Sequence, residues 1–484
     1  MAVGGAILRR LRAGGAGQRA LLSSTPDRSL LNEVVQQIRF RGPMTFVDYM
    51  RTCLTHPAHG YYMKRDVFGR GGDFITGPEI SQVYGELVGV WVVAMWRQMG
   101  EPRAVRIVEA GPGRGTLMSD MLRVIARHEH LARGARLDLI EVSPWMRKRQ
   151  REVLCAVGSS DGGALDAPVR TRDGGLPVSW HDSLRDLLAP AQPDSAVLAP
   201  SGLPAAREAA ERIPSIFIAH EFLDALPVHK FRRAPATPTS PVGPWREVLV
   251  DVSDEVTEDP SATGAHQLRF VLAPAATPAA VIYGHLLPPT PPATPVPAAA
   301  HPAPLGRPGV AIRRLSAAAG PLDGEVPAEG IEVEVCPLAL DFATAVAREL
   351  AASRGAALMI DYGPTHGPVA DSARAIIDHR FVQLLEQPGD ADLSALVDFG
   401  ALRDAVRAVP GITLGAIGTQ RELLGGLGLE ARVNALLKKA SAEEARTLVA
   451  AAERLVAVPG MGEEYKALAF CDEQTGTPVA FREG

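Results

Sequence analysis

RIVEAGPGRGTLMSD, residues 106–120, carries an apolar run into three glycines and out again into a helical pattern. A strand that ends in a glycine turn at the mouth of a helix is the nucleotide-binding opening of a doubly wound α/β sheet. The details of the turn narrow what it can hold. A dinucleotide fingerprint reads GxGxxG, whereas Gly111, Gly113 and Gly115 are spaced GxGxG, and Thr116 stands where the third glycine of that fingerprint belongs. No GxxxxGK[ST] phosphate loop occurs in the chain. Glu109 lies two residues before the first glycine, where a carboxylate repels a pyrophosphate and attracts a cation. S-adenosylmethionine meets both conditions, because it carries an ammonium and a sulfonium and no phosphate. Gly111 and Gly113 let the backbone approach such a ligand with no Cβ in the way. A nicotinamide-dependent oxidoreductase is the competing reading, and the glycine spacing and Glu109 both count against it.

Outward from the turn, strands and helices alternate. RLDLIEVSP (136–144) is a second strand ending in an acid, PVSWHDSL (177–184) a third, SIFIAHEFLDALPVHKF (215–231) a fourth and AALMIDYG (356–363) a fifth, with helical patterns between most of them. That rhythm predicts a parallel sheet with right-handed crossovers. Ligands of such sheets bind beyond the carboxyl ends of the strands, so the strand-end acids are the candidate site. Glu141, 28 residues after Gly113, is placed to accept hydrogen bonds from ribose hydroxyls. Asp182 can accept from an adenine amino group or cap the helix that starts at SLRDLL, and both readings stand. Glu221 and Asp224 follow the apolar strand IFIA. A carboxylate pair there can hold a guanidinium fork and take its proton as a nitrogen is alkylated. His220 and His229 are weaker candidates as bases. Asp73 and Glu79, in the glycine-rich stretch 69–82, can close over a ligand.

The flanks differ in character. Residues 1–26 contain Arg9, Arg10, Arg12 and Arg19 and no acid, the composition of a mitochondrial transit peptide or of a basic tail. A helical segment is expected over 29–102, with Thr45 an N-cap and a strongly apolar helix over 80–100. The core then runs over 103–231. WREVLVDVSDEV (245–256) and HQLRFVLAP (266–274) alternate as antiparallel strands within an inserted β lobe, 232–337. That lobe contains the proline-packed stretch 284–308, whose composition cannot bury a core. Core and helical insertion resume over 338–472, followed by a tail, 473–484. The net charge of −5 argues against binding nucleic acid through bulk charge. No apolar run reaches the roughly 18–20 residues a membrane span needs. The four cysteines, Cys53, Cys155, Cys336 and Cys471, lack metal-site spacing.

Seven ordered stretches, GDFITGPEISQ (72–82), EAGPGRGTLMSDML (109–122), IEVSP (140–144), HEFLDALPVHKF (220–231), LMIDYG (358–363), PGDADLSALVDF (388–399) and MGEEYKAL (461–468), resemble the MidA-like family of mitochondrial and bacterial methyltransferases. The resemblance spans about residues 30–470, apart from the proline-rich insertion. It implies a class I S-adenosylmethionine-dependent methyltransferase fold, Rossmann-like, with a mostly parallel seven-stranded sheet, an N-terminal helical segment and an inserted lobe. It further implies a protein arginine methyltransferase of the mitochondrial matrix, acting on a core subunit of respiratory complex I to give symmetric dimethylarginine. A cofactor-binding assembly chaperone without catalysis is the alternative. His220 departs from the family pattern, which has an asparagine there.

Overall fold

The structure is a computed structural model that describes residues 29–64, 76–155, 169–189, 213–235, 243–253, 268–288 and 332–479. Residues 1–26, Asp73, residues 289–308 of the proline-rich stretch and the last five residues of the tail lie outside the described residues.

Apolar residues on both sides of a strand require a layer of helices on each face. Strand β1 (Val105–Ala110) meets this condition, with Ile107 in one apolar cluster and Val108 in another on the opposite face. It pairs in parallel with β2 (Ala135–Ile140). Strand β3 (Val169–Arg170) is a short edge antiparallel to β4 (Pro177–His181), and β4 pairs in parallel with β2. The chain then crosses to the other side of β1, where β5 (Ser215–His220) runs parallel to it and β6 (Gly355–Tyr362) parallel to β5. The antiparallel strands β7 (Ile412–Leu414), β8 (Gly418–Thr419) and β9 (Tyr465–Asp472) complete that side.

The order is β7-β9-β6-β5-β1-β2-β4-β3, with β8 also paired to β9, nine strands in all. This corrects the expected mostly parallel seven-stranded sheet. The five central strands are parallel, but β9 runs against β6, and short strands are stitched antiparallel onto both edges. The reversal of strand order between β1 and β5 is a topological switch point, where a crevice opens at the carboxyl edge.

The helix Gln82–Gln98 covers one face together with Thr116–Ile125, and Pro337–Ser353 and Phe399–Arg407 cover the other. Ser81 caps the first of these by accepting from the Val83 amide, and Gly100 (φ +86°) lies just past its end. Gly85 and Gly89 in that helix let it seat closely on Thr116–Ile125.

Strands His229–Arg233, Trp245–Val252, Leu268–Leu272 and Glu332–Val335 form a second, antiparallel sheet with Met44–Thr45 and Val369–Ala370. Thr45 accepts from the Asp48 amide and so caps Phe46–Thr55. Leu30, Val34, Ile38, Phe46 and Met50 share one apolar cluster with Val250 and Leu268, so the N-terminal helices and the lobe have a common core. Within it Lys230 is buried between Glu332 (2.9 Å) and Glu334 (3.3 Å).

A β-carbon at Gly85 would stand 2.5 Å from the Asp120 Cβ. The Gly85→Ala variant gains up to about 1 kcal/mol in helix propensity and loses about 1–3 kcal/mol to overpacking. The expected net loss is about 1 kcal/mol, read as a lower thermal midpoint. A midpoint equal to or above that of the parent contradicts the close helix contact.

Candidate active site

A cleft of about 1200 Å³ opens at the carboxyl edge of the parallel strands. Gly111 and Gly113 line it from the turn after β1, Glu141 and Val142 from the end of β2, Asp182 from β4, and Glu221, Phe222 and Asp224 from the turn after β5. Tyr362 and Tyr465 reach it from β6 and β9. The volume exceeds the roughly 300–1,000 Å³ of a pocket for one drug-sized molecule, so a cofactor and part of a second reactant can share it.

One half is organised by the helix Pro144–Leu154. Its Gln150, fully buried, donates to the Gly113 carbonyl (2.7 Å) and to Glu141 Oε2 (3.0 Å), while its own oxygen accepts from the Trp180 indole (2.8 Å). Glu141 Oε1 accepts from the Ser143 amide (2.8 Å). Arg147, one turn before Gln150, donates to the Glu141 carbonyl (2.7 Å) and to Asp182 (2.6 Å). Burial raises the Glu141 carboxyl to about 7, against the Ser143 and Gln150 donors. Asp182 stays exposed on the rim, and Ser183, not Asp182, caps the helix Leu184–Leu188. The glycine turn is tight for a physical reason: Gly111 has φ +63°, and a Cβ there would meet the Phe222 ring at 2.7 Å.

Glu109 does not stand at the mouth of the turn as the sequence suggested. Its side chain is 2% exposed, it is absent from the cleft lining, and its Oε2 has no hydrogen-bond partner among the described residues. Burial alone lifts it to about 8, so at neutral pH it is mostly uncharged. Strand alternation explains the placement. Glu109 shares its face with Ile107, which is packed under helices, and the residues that meet the ligand come only after the strand ends.

The other half gathers acids. Glu221 has φ +47° and accepts from the Gly77 amide (3.2 Å). Burial first, and then the Asp224 carboxyl, raise Glu221 to about 8. Asp224 accepts from the Tyr362 hydroxyl (2.6 Å), and burial raises it to about 6. No lysine or arginine among the described residues forms an ion pair with either acid. His220 lies behind Glu221, with Nε2 3.3 Å from its Oε1 but without hydrogen-bond geometry, and burial lowers the imidazole to about 3. It is a neutral core residue. His229 is held by Glu247 (2.6 Å) within the lobe and is not part of the cleft lining, so neither histidine is positioned as a base. Glu79 does not close over the cleft. It accepts from Thr116 (2.7 Å) and anchors the Gly77–Ile80 turn against the glycine loop.

Sequence reasoning missed Gln150, Arg147, Tyr362 and Tyr465. The two tyrosines face each other in register across β6 and β9, with rings 5.5 Å apart, and no local pattern links positions so distant in the chain. Gln150 and Arg147 share a helical spacing of three that points back at the second strand, a signal that was present in WMRKRQ.

The residues fit S-adenosylmethionine. Gly111 and Gly113 line the cleft with bare backbone, Glu141 offers an acceptor for ribose hydroxyls, and the cluster of acids suits a cation. A family model for S-adenosyl-L-methionine-dependent methyltransferases (Methyltransf_28) matches residues 87–417. The chain is 34% identical over 455 residues to the mitochondrial protein arginine methyltransferase NDUFAF7 of Danio rerio, covering 93% of this chain and 88% of that one. It is 32% identical over 458 residues to the Homo sapiens protein of the same name, covering 93% and 85%. Among solved structures, it is similar to a COG1565 superfamily member from Burkholderia thailandensis bound to S-adenosyl-homocysteine. That similarity has a TM-score of 0.63 and 23% identity over 94% of this chain and 95% of that one, and it shows a shared fold.

Burial holds Glu141 at about 7, above its ordinary 4.5. A ligand whose hydroxyls donate to it favours the ionised form and so releases a proton on binding. S-adenosylmethionine affinity is therefore expected to rise as pH increases from 6, by at most about tenfold per unit, and to level above about pH 7. Calorimetric titration checks this. Glu141→Gln removes the rise and weakens binding by about 1.5–3 kcal/mol, whereas Glu109→Gln has a smaller effect. An affinity flat from pH 6 to 8 in the parent protein contradicts the placement.

Proposed function

We propose, for a chain that belongs to the family of S-adenosyl-L-methionine-dependent methyltransferases, that the acceptor is the guanidinium of a protein arginine held by Glu221 and Asp224. The observation that carries this reading is a pair of largely buried carboxyls on one turn, open to the cleft and without a lysine or arginine partner among the described residues.

The methyl donor is S-adenosylmethionine, whose sulfonium supplies the transferable methyl group. Gly111, Gly113 and Glu141 are proposed to hold it, with Asp182 at the rim and Glu109 supporting the turn from behind. Methyl transfer is an in-line displacement, so orientation supplies much of the rate. A carboxylate pair matches the planar fork of a guanidinium and can aim one nitrogen. The arriving cation lowers the pKa of both acids, so the proton still held near neutrality, chiefly on Glu221, is shed as it binds. When the nitrogen gains a carbon, its departing proton can pass to Asp224 or Glu221, the carboxylates that face it across the cleft.

The finer reading places the acceptor arginine in a core subunit of respiratory complex I, the product as symmetric dimethylarginine and the site of action in the mitochondrial matrix, with the reaction needed for assembly of the complex. Three things support it: the motif resemblance, the relatives named as mitochondrial protein arginine methyltransferases, and the arginine-rich, acid-free residues 1–26, which read as a transit peptide. No helix among the described residues is long and apolar enough to cross a membrane.

Purified protein given S-adenosylmethionine and isolated complex I subunits is expected to add methyl groups to arginine, identified by peptide mass spectrometry. Glu221→Gln and Asp224→Asn each reduce the rate by about 100-fold or more and leave S-adenosylmethionine affinity within about twofold. Unchanged rates in both variants contradict the assignment. A parent protein that binds the cofactor and transfers nothing supports the non-catalytic chaperone.

A further inference from the structure

Glu221 and Asp224 belong to a turn that wraps a third carboxyl group. Asp361, near the end of β6, is fully buried and is not part of the cleft lining. Its Oδ2 accepts from the amides of Phe222 (3.2 Å), Leu223 (3.0 Å) and Asp224 (3.2 Å), and its Oδ1 accepts from the Tyr362 amide (2.9 Å). The turn is held at its start as well, where the Glu221 amide donates to the Ile360 carbonyl (2.9 Å). Three successive amides converging on one oxygen form an anion-binding concavity, filled here by a side chain of the neighbouring strand. Glu221 takes φ +47° on the way into this concavity, a conformation that persists in a non-glycine residue only where its surroundings enforce it.

We propose that Asp361 is the positioning residue of the methyl-transfer site, keeping its charge within the cradle of four amides and thereby fixing the directions in which Glu221 and Asp224 enter the cleft. The inference rests on the reading of those two acids as the acceptor-binding pair.

The partners decide where the charge resides. Burial, and then the neighbouring Asp224 carboxyl, push Asp361 well above the usual carboxylate range, as burial also pushes Glu221 and Asp224 up. Three carboxyls this close resist being ionised together. The four backbone contacts of Asp361 are all donors, so nothing in that set can receive a proton from it. Glu221 and Asp224 open to the cleft, where water or a ligand can share one. The negative charge therefore stays on Asp361, and a proton retained near neutrality sits on the cleft-facing acids, chiefly Glu221, which must later release it to an incoming cation. Asp361 acts on the acceptor only through those two acids, both by aiming them and by raising the pH at which they ionise.

The test uses the full chain and an arginine-containing subunit peptide. Asp361→Asn is expected to bind S-adenosyl-homocysteine within about twofold of the parent and to transfer methyl groups about 100-fold more slowly, the loss typical of a small misplacement of aligned groups. It is also expected to move the acidic limb of kcat/KM about one pH unit lower, because the neighbouring negative charge is gone. That last shift separates a charged positioning residue from a merely structural one. A variant with the parent rate, or with the limb unmoved, overturns the proposal. A second measurement does not depend on the variant folding. In the parent protein labelled with 15N at leucine, the Leu223 amide proton is expected to stay at low field from pH 6 to 8, as it does beside an ionised carboxylate. A Leu223 resonance that moves upfield as pH falls through that range shows Asp361 taking the proton and overturns the proposal. A parent that transfers no methyl group while Leu223 stays in place overturns the acceptor assignment and leaves the charge on Asp361 standing.

Discussion

Carboxyl groups crowded at one end of a crevice, two of them with no lysine or arginine ion pair among the described residues, are the constraint around which this molecule is arranged. Glu141, Glu221 and Asp224 reach one cleft from two strand ends, and burial lifts each well above its ordinary pKa. Such a site is poor at holding negative charge and well suited to a positively charged ligand, because each charge that arrives relieves the unfavourable ionisation of an acid already in place. Both reactants read for this chain, a sulfonium cofactor and a guanidinium, are cations.

The sheet places these acids where they can act together. Its order reverses between β1 and β5, so the glycine turn after β1 and the acid-bearing turn after β5 lie side by side. The contact is close enough that a Cβ at Gly111 would collide with Phe222, the neighbour of Glu221 in the acid-bearing turn. The two turns are thus held against each other by backbone, and in the proposed reaction that leaves little slack between donor and acceptor. The helix Pro144–Leu154 stiffens the cofactor side through Gln150 and Arg147, and the β6–β9 pair stiffens the acceptor side through Tyr362.

Much of this was legible in the chain because it is written in short range. The glycine turn, the strand-end acids Glu141 and Glu221, the Thr45 cap and the apolar helix ending before Gly100 each follow from a few adjacent residues, and the structure has all of them. What was not legible depends on register and on which face a residue takes. Glu109 looks like a ligand-facing acid until strand alternation turns it under the helices. Asp361 ends a buried strand just as Glu141 does, yet its carboxyl meets the amides of a turn some 140 residues earlier and not the cleft. The short antiparallel edge strands, β3, β7 and β8, are two or three residues long, too short for any periodicity to announce them. His220, which stood out in the sequence as a departure beside the acids, proves to be a desolvated neutral ring packed against Tyr84.

The central claim is that a cationic, phosphate-free cofactor occupies the carboxyl edge of β1 and β2, with its reactive end toward Glu221 and Asp224. The most direct measurement is a crystal structure of this protein soaked with S-adenosyl-homocysteine. The account predicts density running from the Gly111–Gly113 turn to Glu141, with the ribose hydroxyls on the Glu141 carboxylate and the sulfur facing the turn that carries Glu221 and Asp224. Density elsewhere in the molecule, or a ligand in the cleft whose sulfur points away from those two acids, would contradict it.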